Sequence, residues 1–158
     1  MDKVLDNIFN AQKRIKTADY MLTMTYETVK EPKLLLTVLN TAFIASKEAM
    51  DAALYYERHF KRIPPFNENS FESKLDVFKR NLSQKYGMKL IDFEFIHYLK
   101  KVTREHKESA VEFGRKENFF IMDEDYQGEK LESKEVKEII LNAKLFIDRI
   151  YHIISNKK

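Results

Sequence analysis

The chain has 158 residues, 44% hydrophobic and 34% charged, with a net charge of +3 and no cysteine. The absence of thiols excludes disulfides, cysteine nucleophiles and cysteine-ligated zinc. The length suits one domain over 1–158, and the mild basicity falls short of a dedicated nucleic-acid-binding domain. With only 3 Gly and 3 Pro, the composition favours long helices over loops. No apolar run approaches the roughly 18 residues of a membrane span, and Met1-Asp2-Lys3 does not open a signal peptide. The expectation is a soluble, cytoplasmic protein without membrane contact.

Two runs, 3–30 and 33–62, lack Gly and Pro and repeat apolar residues at helical spacing. Only Glu31-Pro32 joins them, so the two helices must lie antiparallel. The first carries Leu5, Ile8, Gln12, Ile15, Asp19, Leu22, Tyr26 and Val29 in steps of three and four, flanked by Ala11, Ala18 and Thr25. Asp19 on this seam requires either water or a cation, because a lone buried carboxylate is costly. The second is apolar over a wide arc that includes Leu35, Leu39, Phe43, Met50, Tyr56 and Phe60, which predicts a central position. Its small residues Ala42, Ser46, Ala49 and Ala53 permit close approach of a neighbouring helix.

Pro64-Pro65 and the polar stretch Asn67–Ser70 form a turn. A third helix follows with Phe71, Leu75, Phe78, Leu82 and Tyr86 on one face and Gly87 as its C-cap. The spacing predicts a fourth helix from about Leu90 to Phe113, with Phe95, Leu99, Val102, His106, Ser109 and Phe113 as its stripe. Residues at about 115–132 break the period and read as a β-hairpin around the acidic turn Asp123–Asp125. Ser133 is a good N-cap for a last helix bearing Val136, Ile140, Ala143, Phe146, Ile147, Ile150 and Ile154. Lys157 and Lys158 suit the dipole at its end. The expected fold class is all-α: one antiparallel bundle of about five helices on a long helical hairpin, with a small β-hairpin before the last helix.

Phosphate-binding glycine loops, metalloprotease, hydrolase and EF-hand patterns are absent from the sequence. Carboxylate-bridged di-iron bundles need paired Glu-x-x-His elements, which are missing too. None of His59, His97, His106 and His152 has an acidic residue at the spacing of a two-helix metal site, so no metal and no cofactor are expected.

Two stretches concentrate chemistry. Tyr55, Tyr56, Arg58, His59, Phe60, Lys61 and Arg62 crowd the end of the second helix. They read as an anion grip with His59 as proton carrier, or as core aromatics with cations facing a helix C-terminus. On the fourth helix, Lys100, Lys101, Arg104 and Lys107 read as a phosphate-backbone surface. Glu105, Glu108 and Glu112 dilute that charge, and a solvated face laced with ion pairs explains the same pattern. His106 falls on the apolar stripe, which predicts a buried histidine; beside Arg104 it is alternatively a catalytic group in a cleft. Tyr55, Tyr56 and Phe119 are candidates to line a small-ligand pocket at one end of the bundle.

The long antiparallel pair 3–30 and 33–62, followed by shorter helices and a final one, resembles the HEPN-like domains of prokaryotes. That resemblance implies a dimeric helical domain. Many such domains are metal-independent ribonucleases with an Arg followed by a His after four to six intervening residues; others partner a small nucleotidyltransferase. Here no Arg precedes a His at that spacing, although Lys101 and His106 have the right separation. Lys lacks the planar fork of Arg. The functional expectation is therefore a noncatalytic binding or assembly module, homodimeric, with a protein or RNA partner. The alternatives are an RNA-directed enzyme using Arg104 with His106 or Arg58 with His59, and a small-ligand-binding bundle.

Overall fold

The computed structural model describes residues 1–156, so Lys157 and Lys158 lie outside the described residues. The chain is mostly helical, with a small three-stranded antiparallel sheet before the last helix. Helix α1 (Asp2–Tyr20) passes through a π-helical turn at Met21–Thr25 into the short α2 (Tyr26–Val29). The backbone stays right-handed helical at each junction, so these segments make one rod. Lys30 ends it in the left-handed region at φ 54°. Pro32 follows, and α3 (Lys33–His59) runs back. Next come α4 (Phe71–Leu82), a 3-10 turn at Leu90–Phe93 and α5 (Glu94–Glu108). Strands β1 (Val111–Arg115), β2 (Asn118–Met122) and β3 (Gly128–Leu131) pair in that order, and α6 (Ser133–Ser155) completes the described chain.

Helix α3 is the centre, touching α1, α4, α5, α6 and β2. Its most extensive partner is α1. Ala42, Ser46, Ala49 and Ala53 are fully buried, and the Ser46 hydroxyl donates to the Ala42 carbonyl at 2.8 Å, so no polar atom is stranded there. Helix α6 closes over both. Lys144 reaches Asp19 at 2.6 Å and Lys137 reaches Glu27 at 3.8 Å, an order that makes α6 antiparallel to α1. Lys144 is thus the cation that the seam carboxylate Asp19 requires. At the other flank, Phe78, Phe93, Phe95 and Phe146 meet edge-on or tilted at 5.5–6.4 Å and join α4, α5 and α6.

Several boundaries differ from those the periodicity predicts. The second helix stops at His59, not at 62, and the third at Leu82. Gly87, at φ 66°, sits in the turn that follows Leu82. Leu5 and Val29 are exposed; Val4 takes the buried place at the first turn. The fourth helix ends at Glu108, well before Phe113. Ser109 turns extended (φ −67°, ψ 139°), and Phe113 pairs across the sheet with Phe120. A cross-strand aromatic pair suits Phe113 better than a helix whose apolar stripe lapses after Val102. The hairpin expected at 115–132 is consequently a three-stranded sheet that starts at Val111. Ser133 is the first residue of α6; Glu132 occupies the cap position, without a side-chain hydrogen bond.

Among the described residues no helix is long and apolar enough to cross a membrane.

The buried alanines of α3 leave no room for a larger side chain. Ala49→Leu is expected to lower stability by about 1–3 kcal/mol. Urea unfolding checks it, as a lower midpoint with unchanged slope.

Candidate functional site

Helix α5 fixes the directions of its cations by its 3.6-residue turn. Lys100 points towards α4 and pairs with Glu72. Lys101 points the other way and meets Glu129 of β3 at 2.5 Å. Lys107 lies on the Lys100 flank, where it adds to the positive field at Lys47 of α3. Arg104 lies between the two flanks and faces outward. The four cations therefore do not share one open groove, and two of them face a carboxylate from another element.

Arg104 and His106 are two residues apart on a helix, so their side chains leave it roughly 200° apart. His106 is exposed rather than buried, and its Nδ1 lies 2.5 Å from the Glu112 carboxylate. The reason is its place in the last turn of α5, beyond the point where the core ends at Val102. Arg58 and His59 close α3, both exposed, with the His59 ring edge-on to Phe60 at 5.0 Å.

Arg104 does border a cleft. Between the end of α5 and the sheet lies a cavity of about 260 Å³, lined among others by Arg104, Glu105, Glu108, Asp123 and Gln127. Burial, then the neighbouring Glu129, pushes the Glu105 carboxyl above the usual carboxylate range. Its Oε2 atom is buried and has no hydrogen-bond partner among the described residues. The Tyr98 hydroxyl, two turns earlier on the same flank, is buried and unpartnered in the same way. A carboxylate starved of donors beside a guanidinium suits a ligand that brings its own amine or guanidinium.

At the end of α3 the decisive residue is Glu57, the one acid in the run Tyr55–Arg62. It is fully buried. Lys85 Nζ donates to both its oxygens at 2.7 and 2.8 Å, the Tyr86 hydroxyl at 2.8 Å and Arg62 at 3.2 Å. Burial by itself raises a carboxyl pKa; here the hydrogen bonds from Lys85, Tyr86 and Arg62 outweigh it and hold Glu57 below its ordinary value. Burial, and then the same contact with Glu57, pushes the Tyr86 phenol up. Arg62 is thus committed to a structural network, and its guanidinium also lies over Phe60 at 4.5 Å. The signal for Glu57 was present: it continues the apolar arc of Met50, Ala53 and Leu54 one turn further.

Tyr55, Tyr56 and Phe119 do not line one pocket. Tyr55 packs on Phe66 at 6.0 Å beneath the Lys3 ammonium, and Tyr56 is core. Phe119 lies at the opposite end of α3. Its strand neighbour Gly114 abuts Pro32, and the Tyr26 hydroxyl donates to the Glu117 carbonyl at 3.0 Å.

One surface is apolar and uncovered. Phe93 anchors the 3-10 turn in the core. Asp92 accepts from the Lys89 N–H at 2.7 Å and pairs with Arg149 of α6 at 3.2 Å. That latch leaves Leu90 (82% exposed) and Ile91 (68%) facing outward. Leu141 (57%) and Leu145 (48%) of α6 are also exposed. Ile91 and Leu145 rim a cleft of about 310 Å³ with Asp92 and Arg149.

Two expectations follow from the carboxylates. Glu57→Gln leaves Lys85 and Arg62 without their counter-charge and should cost about 3–5 kcal/mol at neutral pH. Because the folded pKa of Glu57 is depressed, this contribution is present above the unfolded value of about 4.3. It is lost as pH falls through the lower folded value, so wild type and variant should converge in acid denaturation. Glu105 has the opposite sign. Its raised folded pKa penalises the folded state above the unfolded pKa and has no effect below it. Glu105→Gln should therefore raise the melting temperature at pH 7 and leave it unchanged near pH 3.

No family model matches the chain, and no curated protein matches it.

Proposed function

We propose that this chain is a noncatalytic binding and assembly module, a single antiparallel helical bundle of the HEPN-like type that works as a homodimer. The observation that supports this reading most is the uncovered aliphatic surface on α6 and the 3-10 turn. Leu90, Ile91, Leu141 and Leu145 stand out of a molecule whose other large aliphatics are mostly buried. Single exposed leucines need no explanation, but Ile91 and Leu145 rim one cleft, with Leu90 next to the first and Leu141 one turn from the second, and such a grouping marks an interaction surface. The turn that presents two of them is held by the Phe93 anchor and by the Asp92–Arg149 pair. A rigidly presented surface loses little entropy on binding. A long helix such as α6 also suits a two-fold contact, in which the same patch meets itself.

The divergence of Arg104 and His106 supports a noncatalytic role over an Arg–His ribonuclease. A proton carrier and a charge stabiliser must converge on one reacting group, and these two leave opposite sides of α5.

A second reading keeps a small-ligand site in the Arg104–Glu105 cleft. The orphaned Glu105 oxygen favours it. An amine-bearing ligand there would raise the melting temperature of wild type and not of Glu105→Gln.

For the assembly reading, the solution mass of wild type and Leu145→Glu should be compared by light scattering across a dilution series. Wild type should show twice the chain mass and the variant the single-chain mass. At dilutions where both have the single-chain mass they should melt within the few degrees that correspond to about 0.5 kcal/mol, the usual effect of a surface substitution; where only wild type is dimeric it should melt higher. A wild type that stays at single-chain mass at every concentration would remove the homodimer.

A further inference from the structure

The outer face of the sheet is a second uncovered surface, and its chemistry differs from that of α6. In antiparallel pairing, directly opposed residues share a face. The register places Phe113, Phe120 and Lys130 side by side on one face, next to Arg115 and Asn118. The opposite face holds Phe119, Ile121 and Leu131 in the core, with Gly114 against Pro32. Helices α3 and α5 contact the sheet, and those buried residues place them on the inner face. On the outer face the Phe113 and Phe120 rings are stacked, 5.0 Å apart and 18° from parallel, and Phe113 is 38% exposed.

Positive charge gathers around these rings. Among the described residues, neither Arg115 nor Lys116 has a carboxylate partner within an ion-pair distance. Lys130 pairs with Glu132 at 2.6 Å yet remains half exposed. Lys116 is held out at the two-residue β1–β2 turn with a left-handed backbone, φ 58°. The Tyr26 hydroxyl, donating to the Glu117 carbonyl, fixes that turn to the helical hairpin. The acidic turn Asp123–Asp125 lies at the other end of β2, so the face is basic at one end and acidic at the other.

We infer that this outer face binds single-stranded nucleic acid, with a base stacked on Phe113 and phosphates on Arg115, Lys116 and Lys130. Phe113, backed by the half-buried Phe120, offers its outer π-face, on which any base can stack. A sheet carrying such rings is a general way of reading unstacked bases. The flanking cations match phosphates, and the acidic turn sets which way the strand leaves. A duplex keeps its bases stacked inside and presents none to the rings. This surface is separate from the α6 patch, so the inference stands apart from the assembly reading.

The test is a fluorescence-anisotropy titration with labelled single-stranded RNA and DNA of about ten nucleotides, a length within the site sizes such surfaces cover. A duplex of the same sequence serves as competitor. Variants are Phe113→Leu, Arg115→Ala with Lys116→Ala, and Lys16→Ala as a charge control on the exposed side of α1. Circular dichroism melting confirms that each is folded. Wild type should bind single strands of either sugar and release them as salt rises. Three phosphate contacts give a log–log slope of about −2. Phe113→Leu should weaken binding roughly 5- to 150-fold, the range of one stacked base. The double variant should flatten the salt slope, and Lys16→Ala should bind as wild type does. Three results would overturn the inference. One is no binding by folded wild type, which leaves the rings as a cross-strand pair that only stabilises the sheet. Another is binding that Phe113→Leu does not alter. The third is a doubled solution mass that Phe113→Leu abolishes, which would show a second copy on this face.

Discussion

The close contact between α1 and α3 is the constraint on which the other elements depend. A helix flanked on all sides cannot carry large residues in every direction without pushing its neighbours apart. Ala42, Ser46, Ala49 and Ala53 solve this with side chains that are small and, for Ser46, internally hydrogen-bonded. Helix α6 packs against both α1 and α3 and brings Lys144 to Asp19. The remaining sides of α3 are then free for α4 and α5, whose phenylalanines meet those of α6.

Charge is distributed by the same logic. Most ion pairs that tie elements together place a lysine or arginine of one segment against a carboxylate of another: Arg14 with Glu48, Lys74 with Asp51, Lys101 with Glu129. Partly exposed pairs of this kind add little stability. Their consequence here is geometric: on α5, Glu72 and Glu129 engage Lys100 and Lys101, two of the four cations that would otherwise form a basic groove. Glu57 differs in kind. Fully buried, it holds the end of α3 to the segment after α4, and every donor around it is needed to offset its lost hydration.

What remains uncovered after this pairing is informative. The aliphatics of α6 and the 3-10 turn, the phenylalanine pair on the sheet and the unsatisfied Glu105 lie in three separate places. Each carries a local cost: exposed apolar area in the first two, a buried carboxylate oxygen without a donor in the third. Stability gained elsewhere in the core offsets such costs, and functional surfaces are drawn from them.

Much of the helical framework was legible in the sequence. The Gly- and Pro-free runs, the Glu31-Pro32 joint and the central character of α3 follow from local periodicity, because a 3.6-residue repeat records which face is buried. Strand β2 was legible for a similar reason, in the apolar run 118–122. Strand β1 was not. Val111 and Phe113 fit a helix as well as a strand, and only Phe120, seven residues further on, decides between them. The site was less legible than the fold. Arg104 and His106 look adjacent in sequence, yet the helix turns them apart; His106 looks buried, yet the helix has outrun the core by that point. The partners of Asp19, Glu57 and Lys101 come from elements far along the chain, and local spacing carries no record of them. The sequence by itself determined where the long helices run and most of the faces they bury, since those depend on neighbours within two turns. The tertiary structure alone decided which charges meet, where β1 begins and which apolar groups stay in water, since those depend on packing between distant segments.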